Sequence, residues 1–175
     1  MMNSVSCLFP LLSLLLVAST QTASQDLWAD WKFLLGEWSA GESSGVPGQA
    51  SKGEFTLAAD LGGEILLRKN HAEYPAAEGR PAFSHDDLMI IYRDGGATKA
   101  FYDDNEGHVI HYEVTISPDK KEIVFLSEKG AAGPHYRLTY EDMHAGVVKV
   151  VFEIAPPDKP EQFTKYVEAT VHRKS

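Results

Sequence analysis

The segment Asp104–Val114, DNEGHVIHYEV, places two imidazoles and a phenol close together: His108, His111 and Tyr112. Rings of this kind can chelate a metal, ligate haem or move a proton. The segment is rich in Val, Ile and Tyr, which predicts a strand. Side chains three apart in a strand point to opposite faces, so His108 and His111 cannot share one ion. His108 falls with Ile110, Tyr112 and Val114 on the apolar side, which should turn inward. His111 falls with Glu113 and Thr115 and is expected in solvent. His108 is therefore the interior candidate, as a hydrogen-bonded lining residue or as a general acid–base.

Other motifs carry less chemistry. GESSG at 41–45 matches the nucleophile-elbow pattern, which needs a helix after the serine. Val46, Pro47 and Gly48 follow instead, so the stretch reads as a loop. DDNEG at 103–107 lacks calcium-loop spacing and the twelfth-position Glu, and reads as a hairpin turn. The seven histidines give no ligand pair on one strand face, so no metal site is expected.

The elements that must position these side chains are nearly all strands. DLWADWKFLLGEW, from Asp26, predicts a short helical turn carrying Leu27, Trp28 and Trp31 and ending at Gly36. From there the pattern has period two: nine segments between Gly53 and Lys174, plus one around Trp38, read as strands. Turn signals at 60–63, 94–96, 104–107, 117–121, 130–134 and 141–146 separate them, and Tyr74–Ser84 is the longest irregular loop. Connections this short require antiparallel neighbours. The expected fold is all-β, an antiparallel up-and-down barrel of about ten strands. Alternation turns Tyr136, Leu138 and Tyr140 inward, with Val148, Val150, Phe152 and Ile154, and Val167, Ala169 and Val171.

Composition sets the class and the expected compartment. Length fits one domain. The first 25 residues carry no charge and contain the apolar run Leu8–Ala18 followed by small residues. This predicts a signal peptide over 1–24, export to a periplasm or the exterior, and a barrel domain over 25–175. The run is too short to span a bilayer. The only cysteine, Cys7, lies in the leader; a domain of about 150 residues buries roughly 70% of its unfolded surface without disulfides. Net charge is −9 and the basic residues are scattered, which argues against a nucleic-acid partner.

WKFLLGEW, with Gly36, Glu37 and Trp38, resembles the opening of calycin-type (lipocalin-like) barrels. AFYDDNEGHVIHYEV and YRLTYED are similar to segments of a bacterial family of barrels of unknown function, close in style to nitrobindin. The resemblance covers Trp28 to Lys174. It implies that Gly36, Trp38 and Arg173 are structural, with Arg173 laid over Trp38. It also implies haem held by an imidazole early in the last strand. At that place, before Val167–Glu168–Ala169, this chain has Lys165 and Tyr166, and Tyr166 would have to serve as the ligand.

The leading expectation is an exported barrel that binds a small, largely apolar ligand through Tyr92, His108, Tyr112, Tyr136 and Tyr140, with no resident cofactor. The alternative is an enzyme, either a haem barrel or a cofactor-free isomerase using His108. A third class is an interaction barrel that binds through the Tyr74–Ser84 loop.

Overall fold

The computed structural model describes residues 26–40, 52–128 and 133–175. The expected signal peptide and the GESSG motif lie outside the described residues. Ten strands follow in chain order: β1 Gly36–Ala40, β2 Lys52–Asp60, β3 Ile65–Tyr74, β4 Phe83–Asp94, β5 Ala97–Asp104, β6 Val109–Ile116, β7 Glu122–Ser127, β8 His135–Asp142, β9 Val147–Ala155 and β10 Thr164–Arg173. Each strand pairs with its neighbours in sequence, and β1 also pairs with β10. The result is the closed, antiparallel, all-β barrel that the period-two pattern predicts, its β1–β10 seam paired where Trp38–Ala40 meet Val171–Arg173.

β4 begins earlier than expected. Phe83 lies in the stretch read as irregular, yet it pairs with Tyr74, and the two rings stack with centroids 4.6 Å apart. Ala77 and Arg80 exchange two backbone hydrogen bonds of 2.9 Å in the turn between them. Arg80 folds back over the Phe83 ring, 4.6 Å from its centroid. Cross-strand ring pairs and a guanidinium on a ring face stabilise a ladder that turn-forming Pro and Gly otherwise disfavour.

One end of the barrel is plugged. The chain enters through a 3-10 turn, Ala29–Trp31, whose approach is capped by Asp26 accepting from the Trp28 backbone N–H at 3.2 Å. Trp28, Trp31 and Leu34 are buried there. Trp28 Nε1 donates to the Gly63 carbonyl at 2.8 Å, tying the plug to the β2–β3 turn. Trp31 meets Phe125 edge-on at 5.9 Å, and Trp38 stacks on Phe55 at 6.0 Å. At about 25 cal/mol/Å² and roughly 150–250 Å² per ring, each buried aromatic contributes on the order of 4–6 kcal/mol before ordering entropy is subtracted.

The closing seam between β1 and β10 is locked at the same end. Arg173 lies over Trp38, 4.4 Å from the ring centroid. Its guanidinium donates to the Leu35 carbonyl and, at 2.8 Å, to the Phe33 carbonyl. Trp38 Nε1 donates to the Leu34 carbonyl at 2.8 Å. Gly36 has φ +121°, and a Cβ there would stand 2.6 Å from the Arg173 guanidinium, so only glycine fits.

Candidate functional site

The inward positions change character along the barrel. Near the plug they are Leu57, Leu66, Met89, Ile91, Ile123, Phe125 and Val148, all buried. Toward the opposite end β3 continues its inward set with Arg68 and Asn70, β4 supplies His85 and Asp87, and β5 supplies Tyr102 and Asp104. The register pairs these positions side by side: Asn70 with Asp87, and Asp87 with Asp104. Antiparallel alternation thus gathers six polar side chains from three adjacent strands on one inner wall.

These groups form one hydrogen-bonded network. Arg68 donates to Asp87 Oδ1, and Asn70 Nδ2 donates to Asp87 Oδ2 at 2.9 Å. Both members of this ion pair are buried. His85 places Nε2 3.1 Å from Tyr102 Oη and 3.4 Å from Asp87 Oδ2, and Nδ1 2.7 Å from Glu106 Oε1. The Tyr102 hydroxyl donates to Asp104 Oδ2 at 3.1 Å. Asp104, only 3% exposed at its side chain, also accepts from the Glu106 and His108 backbone N–H groups at 2.9 Å each. Asn105 pins the β5–β6 turn by accepting from the Asp86 N–H at 3.0 Å and donating to the Ser84 carbonyl at 3.1 Å. That turn is what brings Glu106 to His85.

Charge states follow from these contacts. The His85 imidazole is pushed up to about 9, first by its hydrogen bond to Asp87, with burial opposing and Glu106 adding to the rise. It is therefore a cation at neutral pH and donates from both ring nitrogens. Burial works against ionisation of Asp87, but Arg68 and His85 outweigh it and hold the carboxyl below its ordinary range. Asp104 is likewise held low: burial opposes, and the His108 and Glu106 N–H groups prevail. Burial pushes the Tyr102 and Tyr112 phenols up, and nearby Asp87 adds to both. The Tyr140 phenol is pushed up to about 12 by burial, with Arg68 opposing. Tyr140 Oη and Arg68 Nε are buried without a hydrogen-bond partner.

The wall facing this network is apolar. Tyr136 and Phe152 stack with centroids 5.9 Å apart and an interplanar angle of 8°. Val150 and Ala169 pair across β9 and β10 beside them, as do Phe152 and Val167. These residues are inward by register yet only half-buried, and Val167 is 37% exposed. Val167 lies beyond the Ala40–Val171 end of the β1–β10 pairing, where β10 has a described strand partner only on its β9 side. A register shift between Lys165 and Val167 inserts Tyr166 as an extra residue, which stands 73% exposed with its ring edge against Phe152. At this end the inner face is thus charged on β3–β5 and aromatic on β8–β9, with the rings of Tyr112, Phe125 and Tyr140 buried between it and the plug.

The expected site residues divide accordingly. Tyr112, Tyr136 and Tyr140 face inward; Phe125 joins Tyr112 and Tyr140, with ring centroids 6.0 and 5.9 Å away. Two positions are corrected. His108 is not an inward strand residue: it precedes β6, sits in the turn with its side chain 54% exposed, and places Nδ1 2.9 Å from Asp104 Oδ2. Alternation governs side chains only inside the ladder, which starts at Val109. Tyr92 lies on the outer face, because Met89 and Ile91 take the inward positions of β4 and Tyr92 pairs with Lys99. His111 is on the outer face as expected, edge-on to Phe101 at 5.4 Å.

Arg68, His85, Asp87, Tyr102 and Asp104 escaped the sequence reading because inward sets were sought by apolarity. The signal was present: Leu66-x-Arg68-x-Asn70 and His85-x-Asp87-x-Met89-x-Ile91 carry charge into an otherwise apolar alternation.

His85 is the inward-facing imidazole among the described residues, and both its ring nitrogens are already engaged. No group of three His, Cys, Asp or Glu side chains among the described residues is placed to hold a metal ion. Tyr166 is exposed at the bulge, with its ring against Phe152. A scan against protein-family models finds no match, and no curated protein is significantly similar to the chain.

Proposed function

We propose that this protein is an exported, calycin-like barrel that binds a small, largely apolar molecule in the cup between the Tyr136–Phe152 wall and the His85–Tyr102–Asp104 wall. The observation that carries the reading is the apolar inner row of Val150, Phe152 and Val167, which is incompletely buried beyond the paired part of the β1–β10 seam. An apolar lining left open to solvent, with a few fixed polar groups opposite, is the usual form of a small-molecule site. The buried ion pair and the ring-filled floor make the cup a preformed shape rather than one assembled by the ligand. The export expectation rests on the uncharged leader with its apolar run.

Titration with a neutral, environment-sensitive fluorophore such as N-phenyl-1-naphthylamine tests the reading. Saturable emission enhancement is expected. Val167→Arg, which puts a charge on the apolar wall, should weaken binding at least about tenfold, whereas Thr170→Arg on the outer face of β10 should leave it unchanged. No saturable binding, or binding indifferent to Val167→Arg, would overturn the assignment.

A further inference from the structure

β1 covers one end of β10 and leaves the rest. The two strands pair at Trp38–Arg173, Ser39–His172 and Ala40–Val171, and no further among the described residues. β10 runs back to Thr164 with β9 as its one described neighbour there. Two backbone bonds show which groups face the uncovered side. The Arg173 N–H donates to the Gly146 carbonyl on the β9 side, and the Lys174 N–H donates to the Glu37 carbonyl on the β1 side. Successive residues of a strand turn their N–H and C=O groups to alternate neighbours, so Glu168 and Thr170 turn theirs to the uncovered side. The bulge at Tyr166 shifts the phase by one residue and returns Lys165 to that side. Two exposed apolar side chains stand consecutively on the same stretch, Tyr166 at 73% and Val167 at 37%.

A strand edge of this kind is a template for another strand, and the sequence of this one fits itself. With a two-fold axis at Val167, the strand and its copy run antiparallel. Val167 then faces Val167 of the copy on the inner side, in the closely spaced type of antiparallel pair. Lys165 faces Glu168 of the copy on the outer side, and Glu168 faces Lys165 of the copy. These are the positions whose N–H and C=O point across the new seam, so backbone bonds and charge pairs fall in one register. Within one chain Lys165 Nζ lies 2.9 Å from Glu168 Oε2, with both side chains about half exposed, so each trades one opposite charge for another on docking. β1 offers no such match. Its own ladder, carried on, would set Glu42 against Ala169 and Ser44 against Val167, a carboxylate and a hydroxyl along an apolar row.

We propose that the Thr164–Thr170 edge of β10 docks a second copy of this chain, antiparallel about Val167, in a two-fold dimer with one sheet running through both barrels. The interface is isologous, so each contact occurs twice. It stands whether or not the barrel holds a ligand.

Sedimentation velocity with two charge reversals tests it. The natural protein should show a concentration-dependent monomer–dimer equilibrium. Lys165→Glu sets carboxylate against carboxylate at both symmetric contacts, and Glu168→Lys sets ammonium against ammonium. Each should weaken self-association at least about tenfold. Mixed together, the two variants should associate as tightly as the natural protein, because every contact in the mixed pair again joins opposite charges. Native mass spectrometry identifies that mixed dimer, and far-ultraviolet circular dichroism reports that each variant keeps its strands. Rescue on mixing is what a bond within one chain cannot produce. A natural protein that stays monomeric at millimolar concentration, a dimer indifferent to either reversal, or folded variants that fail to associate on mixing would each overturn the proposal.

Discussion

The two ends of this barrel are built by the same alternation and reach opposite outcomes. At the plugged end, Trp28, Trp31, Trp38 and Phe55 fill the interior, and each indole N–H with a partner reaches a backbone carbonyl. At the cup end, the same inward rows carry Arg68, His85, Asp87 and Asp104 opposite half-buried Phe152 and Val167. Burial of rings stabilises through apolar area, so the first end is organised by packing, with single backbone carbonyls serving the indole N–H groups of Trp28 and Trp38. Burial of charge needs every partner in place, so the second end is organised around hydrogen bonds. Polar order at one end is affordable because the other end supplies the apolar burial.

The sharpest way to break this contrast is to remove one ring and one charge. Trp38→Ala at the plugged end should cost about 3–5 kcal/mol, measured as a lower urea midpoint, and it also strips Arg173 of its ring. Arg68→Met should cost a comparable about 3–5 kcal/mol, for a different reason: it leaves Asp87 buried against His85 and Asn70 alone. The contrast is in the rescue. Replacing Asp87 as well, in Arg68→Met/Asp87→Leu, should recover most of the loss, whereas no second change at the plug should restore Trp38→Ala.

pH sharpens the comparison further. His85 has a folded-state value near 9, above its unfolded value, so its contribution is fully present below about pH 6.5 and is lost as pH rises through 9. Asp87 and Asp104 are depressed, so their contributions are present above about pH 4 and are lost as pH falls. Thermal melting between pH 6.5 and 9.5 should show a decline of about 1–3 kcal/mol in the natural protein, and a much flatter profile in His85→Gln. A profile in His85→Gln as steep as the parent's would place the titration elsewhere. The smallest effect is expected at Tyr140→Phe. Its buried hydroxyl has only the Arg68 guanidinium beside it and no well-formed hydrogen bond, so losing it should leave stability within about 1 kcal/mol.

The fold was legible because alternation, turn residues and short connections all demand adjacent antiparallel strands. The inward rows of β8, β9 and β10 were legible for the same reason: Tyr136, Leu138, Tyr140, Val150, Phe152 and Val167 are apolar, and Arg137, Thr139, Lys149, Glu153 and Glu168 fall on the other phase. The cup's other wall was not, because its inward residues look like surface residues. Arg68 is followed by Lys69, and Asp87 is preceded by Asp86; only their phase with Leu66, Met89 and Ile91 tells which member of each pair faces in. His108 misleads in the opposite sense, since its apparent phase with Ile110 and Tyr112 extends into a turn where phase has no meaning.

The contact between Arg173 and the Leu35 carbonyl spans 138 positions of the chain. Every other strand pairing is with an immediate neighbour, so the ladder can grow by local hairpins while its first and last strands remain free. The final seam is the one step with a large loop-closure entropy, and it comes after the rest is in place. Until it forms, two bare strand edges stand exposed, each able to recruit another molecule. The guanidinium on Trp38 thus fastens the two ends of the chain at the seam that covers those edges.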